Sequence, residues 1–164
     1  WNIGGSEAGY WVFDLGITLG CAGPSPIKFN EHPWGGMAIR GHANWFNERC
    51  EMVTSEGKTR LEANHTRVRW AGMCGLTDDA WSGLTVMSHS GNFRHPEPIR
   101  ANDTIPYFSF VAEFLGDWEI VPGKDHVLNY RYLVHNGKTD AATADRLWND
   151  FSNPPETFIV EQFN

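Results

Sequence analysis

Hydrophobic and polar residues alternate along several stretches of this chain, which is the period-two pattern of β-strands with one buried face. In the clearest stretch, 10–21 (YWVFDLGITLGC), every second residue from Trp11 to Cys21 is apolar. The same alternation marks 83–87 and 126–134. Further strands are predicted at 27–29, 59–63, 66–73, 105–114 and 157–163. The chain therefore reads as a series of short strands, with an antiparallel hairpin expected over 66–90.

One stretch has a helical period instead. Within 139–151, four apolar residues fall three or four positions apart, and Thr139 or Asp140 can cap the start. The pair Pro154 and Pro155 ends the helix. Many short strands with one late helix predict an all-β fold, an antiparallel β-sandwich with one C-terminal α-helix near 139–151. We expect residues 1–164 to form a single β-sandwich domain.

Composition and charge narrow the functional classes. The chain has 164 residues, a net charge of −7 and no long basic cluster, which argues against a nucleic-acid partner. No apolar run approaches the roughly 20 residues of a membrane helix, so we expect no membrane partner. Eight Trp, ten Phe and four Tyr supply a large aromatic core and the flat ring faces on which sugars stack. The sequence leaves a cytoplasmic, a periplasmic and a secreted location open.

The three cysteines, Cys21, Cys50 and Cys74, have no metal-binding spacing. We expect them to be buried as small hydrophobic residues, and one disulfide in an exported protein is the alternative.

Candidate site residues concentrate in two segments. The first, 83–100 (GLTVMSHSGNFRHPEPIR), begins as a strand and continues into a loop with His89, Asn92, Arg94, His95 and Arg100. In the second, 32–45, the strand period places Arg40, His42 and Asn44 on one side, and Trp34 and Trp45 flank them. We expect both segments to meet on one concave sheet face.

These residue types suit chemistry on sugars. His89, His95, His42 and Arg40 are the predicted catalytic residues, with His89 or His95 as general acid or base and Glu97 or Glu113 as a less favoured carboxylate partner. Hydroxyl and ring contacts are assigned to Asn92, Arg94, Arg100, Asn44, Trp34 and Trp45. Two alternatives remain: Arg94 and His95 only hold a proline-rich loop, or a divalent metal binds His42, His89 and His95. No cofactor is otherwise predicted.

Several short motifs, taken in order, resemble a known family. They are 35–40 (GGMAIR), 55–58 (SEGK), 69–70 (RW), 82–87 (SGLTVM), Asn92 with His95 and Pro96, 122–124 (PGK), 128–132 (LNYRY) and 135–137 (HNG). Together they resemble the C-terminal half of a mainly bacterial family called PmoA-like, over about residues 10–155. The resemblance implies a larger sandwich similar to the galactose mutarotase fold and a link to sugar breakdown. It also implies that residues 1–164 are the C-terminal part of a longer protein, or that a second polypeptide or a homo-oligomer carries the missing N-terminal half.

Three functions follow from these observations. The first is a carbohydrate-active enzyme: a hydrolase, a lyase or an epimerase. The second is a carbohydrate-binding module without catalysis, in which Trp34, Trp45 and Trp81 stack on sugar rings. The third is a structural subunit whose aromatic surface pairs with another chain.

Overall fold

The computed structural model describes residues 2–4 and 9–154, with side chains for 9–154. Within these ranges the strands, in chain order, are β1 (Asn2–Gly4), β2 (Tyr10–Leu19), β3 (Ile27–Phe29), β4 (Met37–Arg40), β5 (Cys50–Thr54), β6 (Arg67–Val68), β7 (Trp70–Thr77), β8 (Ala80–Ser88), β9 (Glu97–Ala101), β10 (Tyr107–Phe110), β11 (Trp118–Ile120) and β12 (His126–Asn136). The helix α1 spans Ala141–Ser152, and short 3-10 helices occur at Asn47–Arg49 and Ala112–Leu115.

Two antiparallel sheets form the body of the described structure. The larger has the order β1-β2-β12-β8-β7-β5, and the smaller has the order β4-β10-β9-β6. A further pair, β11 with β3, lies beside them. The expected all-β sandwich with one C-terminal helix is confirmed, including the β7–β8 hairpin inside 66–90.

The main core lies between the two sheets. Val86 of β8 and Tyr130 of β12 pack from the larger sheet, and Phe108 and Phe110 of β10 pack from the smaller one. All four side chains are essentially inaccessible to solvent. Because successive strand residues face opposite ways, this core takes alternate residues of β8 and β12.

Helix α1 covers the other face of the larger sheet. Its Leu147 packs with Met87 and Leu133, and the Trp148 indole donates a 2.8 Å hydrogen bond to the Ser88 carbonyl. The Asp140 side chain accepts from the Ala142 backbone N–H and so caps the helix start. The last four residues of β8, 85–88, are therefore buried on both faces of the strand.

The two sheets differ in width, and this difference opens a cleft. Phe13, Leu15 and Ile17 of β2 point toward the smaller sheet but are only partly buried, because that sheet ends at β4. The cleft between β4 and the β2–β12 pair holds two cavities, described below.

Three expectations about elements need correction or stay open. Residues 59–63 are a turn and not a strand: the Glu62 carboxylate accepts hydrogen bonds from the backbone and hydroxyl of Thr59. The stretch 105–114 is shorter as a strand, because a 3-10 helix begins at Ala112. The predicted strand 157–163 lies outside the described residues.

No helix among the described residues is both long and apolar enough to cross a membrane. Cys50 and Cys74 are buried and Cys21 is half-buried, and all three are free thiols. Burial raises the pKa of the Cys50 thiol to about 11, so it is a neutral core group at ordinary pH.

Candidate functional site

The first cavity lies at one end of the cleft and has a volume of about 300 Å³. Its walls are mainly apolar, and five polar or ionisable side chains join them: Glu97, Glu113, Trp118, His126 and Tyr130. A mostly apolar pocket with a few convergent polar groups is the usual form of a small-molecule site. We call these five residues the first-cavity polar set.

Gly36 lets the chain pass close to this cavity. Its φ is +67°, and a Cβ placed there would lie 1.8 Å from the Phe110 carbonyl oxygen. Only glycine meets both conditions, because side chains disfavour this conformation and no room exists for one. The Gly35-Gly36 pair that the sequence shows is therefore required by the wall of the cavity, where β4 begins beside β10.

Glu97 is the most deeply buried acid here, with 1% of its surface exposed. The hydroxyl of Ser88 donates to its Oε2, and the Asn92 amide donates to the same oxygen at 3.3 Å. The Tyr130 hydroxyl donates to Oε1 at 3.0 Å. Glu97 belongs to the smaller sheet and Ser88 and Tyr130 to the larger one, so the carboxyl group joins the two sheets. We call Glu97, Ser88, Asn92 and Tyr130 the buried acid network.

Burial shifts the ionisation of this network. Desolvation raises the pKa of Glu97, and the negative charge of Glu113 adds to the effect, while the hydrogen bonds from Ser88, Tyr130 and Asn92 oppose it. The pKa of Tyr130 is also raised, first by burial and then by the charge of Glu97. The fold therefore favours a protonated Glu97 to a higher pH than a free carboxyl group.

Two atoms of the first-cavity polar set have no hydrogen-bond partner among the described residues: Glu113 Oε2, which can accept, and Trp118 Nε1, which donates. Both atoms are inaccessible to solvent, and an unpaired buried polar atom is costly. The Trp118 ring is fixed between Phe29, at a centroid distance of 4.1 Å, and His126, at 4.5 Å. Both atoms belong to residues that line the first cavity.

His126 completes the set. Burial lowers its pKa, and the nearby Glu113 charge opposes this shift. The ring is therefore neutral over most of the physiological range and can either donate or accept a proton.

The raised pKa of Glu97 predicts a pH dependence of stability. The protonated form is favoured in the folded state, so its contribution is fully present below the ordinary Glu value of 4.5 and is lost as the pH rises through the raised pKa. We expect the free energy of unfolding of the wild type, minus that of Glu97→Gln, to fall as the pH rises from 4 to 8. Urea unfolding of both proteins between pH 4 and pH 8 measures this difference in the free energy of unfolding. A difference that is constant or increases would contradict the assignment.

The structure brings three predicted residues together around Ser88, at the end of β8. His95 Nδ1 lies 3.2 Å from the Ser88 hydroxyl, and burial lowers the pKa of His95. His89 accepts from the Gly91 backbone N–H through Nδ1 and packs edge-on against Phe151. Asn92 exchanges two 2.8 Å hydrogen bonds with the Asn129 backbone. None of these three is among the residues that line the cavities described here.

Arg94 and Arg100 hold loops. Arg94 donates through Nη1 to the carbonyls of Ala112 and Gly116 at 2.8 and 2.7 Å. These bonds to backbone groups agree with the alternative in which Arg94 stabilises a loop and does not contact a ligand. Arg100 donates at 2.8 Å to Asn64 Oδ1 and lies over the ring of Trp34, which is 52% exposed.

Three other predicted residues line a second cavity of about 430 Å³, farther along the cleft. Arg40, His42 and Trp45 line it together with Leu84 of β8. Leu84 is four residues from Ser88, roughly 13 Å along a strand, so His42 and Arg40 do not meet His89 and His95 on one face. Asn44 is not among the residues that line this cavity, and its backbone N–H donates to His42 Nδ1 at 3.2 Å. Trp45 is 6% exposed, and its indole N–H donates a hydrogen bond to the Thr77 hydroxyl.

The metal alternative fails on the same geometry. Within residues 9–154 no three His, Cys, Asp or Glu side chains are grouped so as to hold a metal ion. His42 lies beside Leu84, about half the length of β8 away from Ser88 and its neighbours His89 and His95, so the three histidines do not converge.

Sequence reasoning gave little weight to the residues that meet in the first cavity. Glu97 and Glu113 were only secondary candidates, and Tyr130, Trp118 and His126 were not assigned to the site at all. One signal was present: Tyr130 alternates with polar residues in 126–134, which places it on the buried face of a strand. An aromatic hydroxyl on a buried face needs a partner, and Glu97 supplies it.

Comparison with known proteins places the chain in a family. A family model described as "Family of unknown function (DUF6807)" matches residues 1–149. The protein therefore belongs to this family. The family description says nothing of PmoA-like or mutarotase-like proteins, so that resemblance stays a prediction.

A curated protein, the methionine–tRNA ligase of Cereibacter sphaeroides, is 25% identical over 130 residues. The match covers 76% of this chain but only 20% of that protein, so the chain spans about one fifth of the length of this curated relative. No solved structure matches the chain significantly.

Proposed function

We propose that the protein binds a carbohydrate in the first cavity and acts on it by acid–base catalysis. The observation that carries the proposal is the pairing of an unpartnered acceptor, Glu113 Oε2, with an unpartnered donor, Trp118 Nε1, in one cavity. A sugar hydroxyl both donates and accepts, so one hydroxyl, or two neighbouring ones, satisfies both atoms. An apolar ligand would leave both atoms unpaired.

The size and walls of the cavity support a small sugar. A volume of about 300 Å³ is at the lower end for ligand sites, which suits one sugar unit and not a long chain. Phe29 and Leu128 offer apolar surface to the C–H faces of a pyranose ring. His126 and Tyr130 add further hydrogen-bonding groups.

The carboxyl groups support catalysis in addition to binding. The environments of Glu97 and Glu113 differ, and two acids in different environments can divide the roles of acid and base. Glu113 takes a proton from the bound sugar, and Glu97, protonated to a higher pH, returns one through the Tyr130 hydroxyl that it contacts. Hydrolases, lyases and epimerases all use this exchange of protons.

A carbohydrate-binding module is the second candidate function. The observation that favours it is the aromatic cluster at the cavity, in which Trp118 stacks with Phe29 and also contacts Phe93. Such a module would use the same Trp118 and Glu113 contacts without turnover. The predicted partner, a second polypeptide or another copy of this chain, remains a proposal in either case.

The proposal is tested by the affinity of mono- and disaccharides for wild type, Trp118→Phe and Trp11→Phe, measured by isothermal titration calorimetry. Trp11 is 58% exposed near the opposite end of β2, so it is a matched control. Loss of one hydrogen bond worth about 1 kcal/mol should weaken binding about fivefold in Trp118→Phe and leave Trp11→Phe unchanged. Equal affinities for the two variants, or no sugar bound by the wild type, would contradict the proposal.

A further inference from the structure

We propose that Ser88 and His95 form a relay that carries protons between solvent and Glu97, the buried acid of the first cavity. This relay rests on the proposed function, because it replaces the proton that Glu97 gives to the sugar. It adds two residues that act through Glu97 and do not contact the sugar. Three features support it: a continuous chain of hydrogen bonds, the direction of those bonds, and the position of His95 outside the cavity.

A chain of hydrogen bonds leads from the first cavity to the end of β8. The Tyr130 hydroxyl, which belongs to the cavity lining, contacts Glu97 Oε1 at 3.0 Å. The other carboxyl oxygen of Glu97, Oε2, accepts from the Ser88 hydroxyl. The Ser88 oxygen in turn lies 3.2 Å from His95 Nδ1. Each of these four groups is within hydrogen-bond distance of the next, so a proton can pass along them.

The surroundings of Ser88 set the direction of these bonds. The Asn92 side-chain oxygen accepts the Asn129 backbone N–H at 2.8 Å, and this turns the Asn92 amide nitrogen toward Ser88 as a donor. The Ser88 oxygen therefore accepts from Asn92, and its single proton is left for Glu97 or His95. When the Ser88 proton lies toward the Glu97 carboxylate, His95 Nδ1 has to donate to the Ser88 oxygen. The neutral ring of His95 then carries its proton on Nδ1.

His95 connects this chain of bonds with solvent. It is half-buried, stacks with Trp148 of α1 at a centroid distance of 5.9 Å, and is not among the residues that line the first cavity. Within residues 9–154 its Nε2 has no hydrogen-bond partner, and this atom is not one of the unpaired atoms that water cannot reach. Burial lowers the pKa of His95, and the charges of His89, Arg67 and Arg69 add to the effect. The ring is therefore neutral near pH 7 and releases an added proton readily.

The bound sugar makes a separate route for protons useful. Only 1% of the surface of Glu97 is exposed, and its one opening is the first cavity. A sugar that fills this cavity excludes the water that would otherwise bring a proton to Glu97. The route through Ser88 and His95 approaches Glu97 from the other side and stays open when the sugar is bound.

The relay restores the proton that Glu97 loses to the sugar through Tyr130. The O–H bond of Ser88 breaks and its proton joins Glu97 Oε2, while the proton on His95 Nδ1 moves to the Ser88 oxygen. A proton from water or a buffer acid joins His95 Nε2. Solvent thus loses one proton, Glu97 gains one, and Ser88 and His95 remain neutral. Rotation of the imidazole ring, with exchange at the nitrogen that it exposes, restores the starting tautomer.

The tautomer of His95 tests the direction of the relay without any sugar. In ¹⁵N-labelled wild type at pH 8, nuclear magnetic resonance should show the proton of the neutral ring on Nδ1. Ser88→Ala removes the hydroxyl that holds this proton and should shift the ring toward the form protonated on Nε2. Ser90→Ala is the matched control, because the exposed Ser90 hydroxyl donates to the Ser152 carbonyl, and it should leave the tautomer unchanged. A wild-type ring with its proton on Nε2 would overturn the relay.

Turnover of the mono- and disaccharides used for calorimetry tests the relay in the reaction. We expect His95→Ala to lower kcat about 10²-fold, the lower end of what a positioned acid or base contributes, with KM nearly unchanged. Imidazole in solution should occupy the space of the lost ring and restore most of this rate, and it should not affect the wild type. Ser88→Ala should lose a similar factor that imidazole does not restore, because Ser88 is fully buried. Ser90→Ala should be as active as the wild type.

The outcomes separate the relay from the proposed function. If the wild type turns over sugar and His95→Ala is equally active, the relay is wrong and the catalytic proposal stands. A loss of rate in His95→Ala that imidazole does not restore also overturns the relay, because it indicates a structural role for the ring. A wild type that turns over no sugar overturns the catalytic proposal and the relay together. Thermal unfolding verifies that each variant is folded, and if His95→Ala is not, the wild-type tautomer and Ser88→Ala decide.

Discussion

Replacing Glu97 with alanine is expected to lower the free energy of unfolding by about 3–5 kcal/mol. The substitution leaves the hydroxyls of Ser88 and Tyr130 without the carboxyl group that accepts from them, inside a core that water does not reach. It also leaves a void between the two sheets at the point where the buried acid network joins them. Each unpaired buried group costs about 1–3 kcal/mol. Ser88 and Tyr130 lose their acceptor at the same time, because both donate to the same carboxyl group, so the two costs add.

Two controls separate this effect from a general cost of removing an acid. Glu97→Gln keeps the shape of the side chain, its carbonyl oxygen can still accept from Ser88, and its amide can donate to the Tyr130 oxygen, so we expect a much smaller loss. Glu119→Ala removes an exposed glutamate from β11 and should change stability by less than about 0.5 kcal/mol. Urea unfolding at pH 6 measures all three. A Glu97→Ala loss no larger than that of Glu119→Ala would show that the network does not hold the sheets together.

Replacing Glu113 with glutamine is expected to reduce sugar turnover by about 10²–10⁴-fold, because an amide cannot act as a base. Binding should be nearly retained, since the amide oxygen can still accept from a sugar hydroxyl. Turnover is followed by nuclear magnetic resonance and mass spectrometry of sugars incubated in D₂O. These methods detect bond cleavage, an unsaturated product or deuterium bound to carbon, the signs of the three reaction types.

The matched control is Glu119→Gln, an identical change at an exposed position of the neighbouring strand. It should turn over sugar as the wild type does. If Glu113→Gln is as active as this control, Glu113 is not the base. If the wild type binds sugar and turns over none, the protein is a binding module and the catalytic part of the proposal is wrong.

Much of the fold could be predicted from the sequence, because the local pattern of apolar and polar residues distinguishes strands from helices. The period-two stretches 10–21 and 126–134 correspond to β2 and β12, which pair along ten residues, and the predicted helix near 139–151 corresponds to α1. The prediction of a strand at 59–63 is wrong. Thr59 and Glu62 instead form a capping-type turn, a signal that a count of apolar residues ignores.

The candidate site was harder to predict because it depends on register and on sheet width. Histidines and arginines stand out in a sequence as chemical groups, yet Arg94 donates to the backbone carbonyls of Ala112 and Gly116, and the Asn92 side chain exchanges hydrogen bonds with the Asn129 backbone of β12. Glu97 and Tyr130 come together only because β9 and β12 lie in different sheets that face each other. No spacing along the chain encodes that contact. The cleft likewise results from a six-stranded sheet facing a four-stranded one, which single strands do not reveal.

The central claim is that a sugar binds in the first cavity between Trp118 and Glu113, and the most direct test observes the indole N–H of Trp118 itself. In a ¹⁵N-labelled protein the Trp118 Nε1 resonance is assigned by its loss in Trp118→Phe, and the sugar that binds most tightly is then titrated. The account predicts a saturable shift of this resonance, consistent with a new hydrogen bond, while the Trp11 resonance stays in place. A Trp118 resonance that does not move at saturating sugar would contradict it.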